Sequence, residues 1–222
     1  MTKPILGPAL LAILSIVLLA STAAIATSLS VSAAPLATFT RAYGTPSTCS
    51  LQPVADSHVR NGGADADTNY GTLATLDVRA DAASASRTLV RFDLSSCSPA
   101  IPADAIVHDA TVRLTLFANA TATRTYDLHR STGAWDEASV TWNNQPTVAA
   151  GATSSVTVSS GTTAPALVEW NVLADVQDFV SGAATNDGWR LNDSAEDTTV
   201  ELVFQSAEAT SGQPQLVITY VD

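Results

Sequence analysis

The chain has 222 residues and a formal net charge of −11, with 21 acidic side chains against 10 Lys and Arg. This balance argues against nucleic acid, whose affinity comes largely from basic side chains on phosphates, and against anionic membrane surfaces. The 2 cysteines are too few for a structural zinc site.

Lys3 is the one charged side chain before Arg41. It precedes the apolar run "PILGPALLAILSIVLLASTAAIA", which ends on "AIA" at Ala26. A short basic start, an apolar stretch and a small-residue exit predict a secretory signal peptide over 1–26. The alternative is an uncleaved anchor on the outer face of a membrane, because Ile5 to Ala26 is long enough to span a bilayer. Cleavage after Ala26 leaves no lysine, and nine Arg against 21 Asp and Glu, a net charge of −12. Residues 27–48 are rich in Ser, Ala, Thr and Pro and predict a flexible linker. From Cys49 to Asp222 the texture is uniform and predicts one secreted, extracellular domain. In an exported protein, Cys49 and Cys97 are expected to form one disulfide, tying the start of the domain to the end of an early strand.

Within this domain the apolar period is two. Weak alternation marks Val54–Arg60 and Leu73–Arg79. "LVRFDL" sets Val90, Phe92 and Leu94 on one face and Leu89, Arg91 and Asp93 on the other. "TVRLTLFA" groups Val112, Leu114 and Leu116. "TYDLHR" places Tyr126 and Leu128 against Asp127 and His129. Ser155–Ser159 is another weak run. "LVEWNV" lines up Val168, Trp170 and Val172. "VLADVQDFVSG" then shows Val172, Val176, Phe179 and Val180 at helical spacing before Gly182, which predicts one short helix with a glycine stop. "VELVFQS" lines up Val200, Leu202 and Phe204, and "PQLVITYVD" lines up Leu216, Ile218 and Tyr220. Clusters of Gly, Pro, Asn and Asp separate the runs. The pattern predicts an all-β fold, a jelly-roll-like antiparallel β-sandwich.

No enzyme chemistry is signalled. His58, His108 and His129 stand apart without metal spacing, and there is no G-x-S-x-G nucleophile turn. Asp136 and Glu137 form a carboxylate pair, but neighbours on a strand point to opposite faces and cannot flank a sugar together. Oxygen ligands for calcium are offered by Asp65, Asp67 and Asn69 at alternating positions in "DADTN", and by Asp193 in the acidic loop "NDSAED". Ca2+ is the one cofactor expected. Sugar recognition uses aromatic faces and arginine forks. Trp170 falls on an apolar face, and Trp142 follows Val140 at strand spacing, so both are expected in the core. Trp135 and Trp189 border turns. The binding residues nominated are Arg91 and Arg113 on polar strand faces, Arg60, Arg79 and Arg130 near strand ends, and Tyr70 in a loop.

Several segments together resemble a known family. They are "ADSHV" (55–59), "NYG" (69–71), "LVRFDLSS" (89–96), "IPADAIVHDATVRLTL" (101–116), "WDEASVTWNNQP" (135–146), "NDGWRLND" (186–193) and "FQSAEATSGQPQLVITY" (204–220). In this order they are similar to the DNRLRE-type secreted domain, carbohydrate-binding module family 96, related to disaggregatase repeats. The resemblance implies a β-sandwich without catalytic activity. Its expected partner is a polysaccharide or cell-surface glycan, with uronic-acid polymers a known ligand class. It also implies that "WDEASVTWNNQP" is architectural, its tryptophans packing and its Asn pair bonding to backbone at a turn. The reading that competes with glycan binding is a structural or adhesive cell-surface domain with no glycan site.

Overall fold

The computed structural model describes residues 44–222. The signal peptide expected over 1–26 lies outside the described residues, as does the linker up to residue 43. Eleven strands follow in chain order: β1 (Ser47–Leu51), β2 (Pro53–Arg60), β3 (Thr75–Arg79), β4 (Ser86–Phe92), β5 (Ile106–Thr115), β6 (Arg124–Arg130), β7 (Ser154–Val158), β8 (Leu167–Asn171), β9 (Trp189–Asp193), β10 (Glu201–Gln205) and β11 (Gln215–Val221). One helix, α1 (Leu173–Ser181), sits between β8 and β9. Most of the alternating runs form strands because each has one apolar row to bury, the requirement that sets strand register. Helix α1 ends where the sequence places its stop, with Gly182 left-handed at φ 75°.

The strands form two antiparallel sheets, β1-β11-β5-β8 and β10-β3-β4-β9-β6-β7. In the second sheet β2 pairs along nearly the whole of β4, while β4's other partners are β3, at Arg79–Ser86, and β9, from Thr88 to Val90. The chain changes sheet from β1 to β2, from β4 to β5, from β5 to β6, from β7 to β8, from β8 to β9 and from β10 to β11, which makes the sandwich jelly-roll-like. The core between the sheets includes Val90, Phe92, Val112, Leu114, Trp170, Trp189 and Ile218, each fully enclosed. Valine and phenylalanine of α1 join it, and the Phe179 ring lies 5.5 Å from that of Trp189.

Two elements differ from the sequence expectation. Strand β1 begins at Ser47, inside the segment expected to be linker, and pairs with β11 from Ser47–Tyr220 to Leu51–Leu216. Only Cys49 and Leu51 of β1 are buried, so "STCSL" carries too little apolar alternation to be recognised. Second, Val140 and Trp142 are not on a strand. The chain there forms a turn and then a short 3-10 segment, Trp142–Asn144, for reasons that lie in its side chains.

Cys49 and Cys97 form the expected disulfide, closing a separation of 48 residues. It joins β1 to the turn that follows β4. Replacing both by alanine is expected to lower stability by about 2–4 kcal/mol, read as a lower urea midpoint for unfolding.

Candidate functional site

The segment Trp135–Pro146 lies over the outward face of β2 and β4. Residues opposite one another in an antiparallel pair share a face, and β2 pairs Ser57 with Leu89 and Asp56 with Val90. Leu89 thus points away from the main core, yet it is fully buried, because Trp135 and Val140 pack on it with Ala55 and Val59. A strand covered on both faces was not evident in "LVRFDL", where Leu89 was read on the polar side.

Local hydrogen bonds fold this segment. The Asp136 carboxylate accepts the Ala138 N–H at 3.0 Å, and its carbonyl accepts the Val140 N–H at 2.8 Å. Asn144 Oδ1 accepts the Thr141 N–H at 2.6 Å, and its Nδ2 donates to the Ser139 carbonyl at 3.0 Å. Asn143 reaches away, donating to Asp67 Oδ1 at 2.7 Å. One asparagine therefore bonds to backbone, as expected, and the other to a neighbouring loop. Such side-chain caps compete with strand pairing, which is why the strand spacing of Val140 and Trp142 misleads. Asp136 and Glu137 point to different tasks within the turn: the first caps it, and the second reaches β2, where Glu137 Oε1 accepts the Asp56 N–H at 3.0 Å.

Trp135 is 7 % exposed, and its Nε1–H donates to the Asp187 carbonyl at 2.9 Å. Its ring offers no free stacking face; instead the Arg91 guanidinium lies 5.6 Å from its centroid. Trp142 is half-buried, with Arg87 4.3 Å above its ring. The Trp135–Arg91 contact joins the walls of two surface depressions. One, of about 380 Å³, is lined by Trp135, Asp136, Ser139 and Asn144 among others. The second, of about 340 Å³, is lined by Val54, Arg91, Phe92, Asp93 and Asn186.

The nominated arginines do not converge on one surface. Arg113 lies in the four-stranded sheet, paired with Glu169 at 2.7 Å. Arg60 bonds to Asp77 and Glu201 at 3.1 and 3.0 Å, Arg130 to Asp178 at 2.8 Å, and Arg79 faces Asp81 at 3.8 Å. Tyr70 stacks on the buried His58 at 4.5 Å between ring centroids, and its hydroxyl donates to Asp65. Burial, then the charge of Arg60, pushes His58 down to about 4. Of the nominated arginines, Arg91 alone has no carboxylate partner among the described residues.

The four residues expected to hold calcium are engaged separately. Asp65 accepts from Tyr70, Asp67 accepts from Asn143, and Asp193 pairs with Arg124. The Asn69 amide donates to the carbonyls of Glu137 and Val140 at 2.7 and 2.8 Å, holding the turn in place. The carboxylates that do gather are Asp56, Glu137 and Glu208, with one oxygen of each within 4.8 Å of the others. Burial, followed by the charges of Glu208 and Glu137, pushes Asp56 up to about 7 against the pull of the Ala207 N–H. Two of these residues were not singled out from sequence. Asp56 and Glu208 are 152 residues apart, and no local spacing announces their meeting.

Depressions of this size fall within the range of small-ligand sites. The model of carbohydrate-binding module family 96 matches residues 47–220, and the chain belongs to that family of carbohydrate-binding domains. No curated protein matches the chain. Among the described residues no helix is long and apolar enough to cross a membrane.

Proposed function

We propose that the protein is a secreted, non-catalytic module that binds an extracellular polysaccharide along the two depressions joined by Trp135 and Arg91. The observation that carries this reading is Arg91: a guanidinium without a carboxylate partner among the described residues, set against an aromatic ring, in the wall of a depression. An arginine so placed can hold a sugar carboxylate through a bidentate pair. Asp136 and Ser139 in the adjoining depression supply groups for sugar hydroxyls. The ligand is a polysaccharide with sparse carboxylates, uronic-acid residues among neutral ones. A dense polyanion would meet the repulsion of a chain with a net charge of −11, in which the other nominated arginines are already paired.

The second reading is a structural or adhesive cell-surface domain. It is favoured by the burial of Trp135, which leaves no free aromatic platform at the depressions. Binding of the purified protein to a panel of neutral and uronic-acid polysaccharides separates the two. Saturable binding that Arg91→Ala weakens about ten- to hundredfold supports the module, since a charge-assisted hydrogen-bonded contact of about 1.5–3 kcal/mol is lost. Absence of binding to every glycan establishes the structural reading.

A further inference from the structure

We infer that a further depression is a subsite for one neutral sugar residue, held by its hydroxyls. Arg130, Ser131, Thr132, Ala184, Thr185 and Asp187 line it, and its volume is about 210 Å³. A water molecule's share of the liquid is about 30 Å³, so the space suits a single sugar ring and not a length of chain. Every lining residue but Ala184 has a polar side chain. Ser131 carries the inference. It is 2 % exposed, yet its Oγ has no hydrogen-bond partner among the described residues. Buried hydroxyls are ordinarily bonded, and an unpaired one costs stability. The Ser131 backbone is fixed, its N–H donating to the Gly188 carbonyl at 2.9 Å. Its hydroxyl is therefore held in the wall of the depression without a task in the fold. An O–H both donates and accepts, which matches the hydroxyl of a sugar.

Arg130 and Asp187 complete the set. Arg130 uses Nη1 on Asp178 at 2.8 Å and on Asp175 at 3.3 Å. Its Nε and Nη2 make no hydrogen bond to a described residue. The Asp187 carboxylate accepts none from a described donor, while the Asp187 carbonyl holds Trp135. A guanidinium that donates, a carboxylate that accepts and a hydroxyl that does either are the groups that neighbouring sugar hydroxyls need. Charge decides against a sugar acid. Arg130 is the one cation lining the depression, and it already faces Asp175 and Asp178, with Asp187 a third carboxylate. A uronate would be repelled here. The depression adjoins the first one described: Thr132 and Asp187 line it, Ala134 and Trp135 line the other, and the Trp135–Asp187 hydrogen bond joins the two walls. On the glycan-binding reading above, on which this assignment rests, the subsite takes the neutral residues of the chain whose carboxylate Arg91 holds.

The test is an amide NMR titration of the purified protein with glucose, galactose, mannose and xylose, each alone, and with glucuronate. At least one neutral sugar is expected to shift the Ser131, Thr185 and Asp187 amides saturably, and glucuronate to bind there more weakly. Ser131→Ala should weaken that neutral sugar about three- to tenfold, the loss of one hydrogen bond. Asp187→Ala should weaken it about tenfold or more, since the bond lost is to a charged group. Ser131→Ala should not lower Tm, because the hydroxyl it removes has no partner in the fold; a serine with a purely structural role would lower Tm and leave the titration unchanged. The inference is overturned if no neutral sugar moves these amides, if glucuronate binds there as tightly as the best neutral sugar, or if Ser131→Ala titrates as the parent does. Arg91-dependent binding of a uronic-acid polysaccharide, without neutral-sugar shifts at Ser131, overturns this subsite alone. Neutral-sugar shifts at Ser131 without such binding overturn the Arg91 reading alone.

Discussion

Gly188→Ala is expected to destabilise the protein by about 4 kcal/mol or more, the largest effect of any single methyl group considered in this fold. Gly188 has φ +74°, a left-handed conformation that costs a residue with a Cβ about 1–2 kcal/mol. The added Cβ would also stand 2.2 Å from the Val90 carbonyl oxygen and 2.9 Å from Arg91 Cα. Both are backbone atoms of β4, and Val90 pairs with Trp189 across the β4–β9 ladder. Relief therefore requires parting two central strands. The turn around Gly188 is pinned on both sides: Asn186 donates to the Phe92 carbonyl at 2.7 Å, and the Ser131 N–H donates to the Gly188 carbonyl at 2.9 Å. Trp189, the next residue, is fully buried and donates its indole N–H to Asp175 at 2.8 Å. Displacement would loosen the core on one side and the Asp187 carbonyl beneath Trp135 on the other. Urea unfolding reads the effect as a lower midpoint with unchanged slope. Gly151→Ala, where a Cβ would meet nothing within 4 Å, should be close to neutral.

That turn shows what a sequence can and cannot disclose. "NDGW" is visibly a turn, and its glycine is visibly permissive. What it abuts is set by β4, nearly 100 residues earlier in the chain. The same division runs through the molecule. Strands such as β5 and β11 were legible because each buries a single alternating row. Strand β1 was not, because a five-residue edge strand of Ser, Thr, Cys and one Leu has almost no row to show. Strands β2 and β4 were legible as strands but not as a second, outward core, since the cover comes from the Trp135–Pro146 turn.

The candidate site was less legible still. An arginine's place on a polar face follows from alternation, but its partner does not. Glu201 reaches Arg60 and Glu196 reaches Arg87 from more than 100 residues away. Face alone could not separate Arg91, which has no carboxylate partner among the described residues, from Arg113, which has one. Likewise "DADTN" offers metal-like spacing within one loop, whereas the carboxylates that meet are contributed by three distant segments. Local spacing finds sites built on one segment and overlooks those assembled by topology.

The Arg124–Asp193 pair gives the second large expected effect. Asp193 was read from sequence as a calcium ligand in an acidic loop. In the fold its side chain is fully enclosed at the end of β9, while Arg124 enters from β6 and is 18 % exposed. The guanidinium grips both carboxylate oxygens, with Nε donating to Oδ2 at 2.8 Å, and Oδ1 also accepts the N–H groups of Ala195 and Glu196. Burial alone would push this carboxyl up. The hydrogen bonds from Arg124, Ala195 and Glu196, with the arginine's charge, outweigh it and hold Asp193 below the usual value of 3.8. Arg124→Met would leave the enclosed carboxylate with backbone donors alone, and the expected loss is about 2–4 kcal/mol, less than for a fully buried pair because the arginine reaches the surface. A group whose folded pKa is depressed contributes stability above its unfolded value and loses it as pH falls through the folded one. The parent should therefore keep the pair's contribution at pH 5 and give it up only below about pH 4. Arg124→Met removes the principal cause of the depression, so burial should carry the Asp193 carboxyl above its unfolded value. The variant's deficit should be largest near neutral pH and shrink as acid protonates the stranded carboxylate. Urea midpoints of parent and variant across pH 3–7 would show the two curves converging at the acid end, and curves that stay parallel would rule out the pair as the source of the loss.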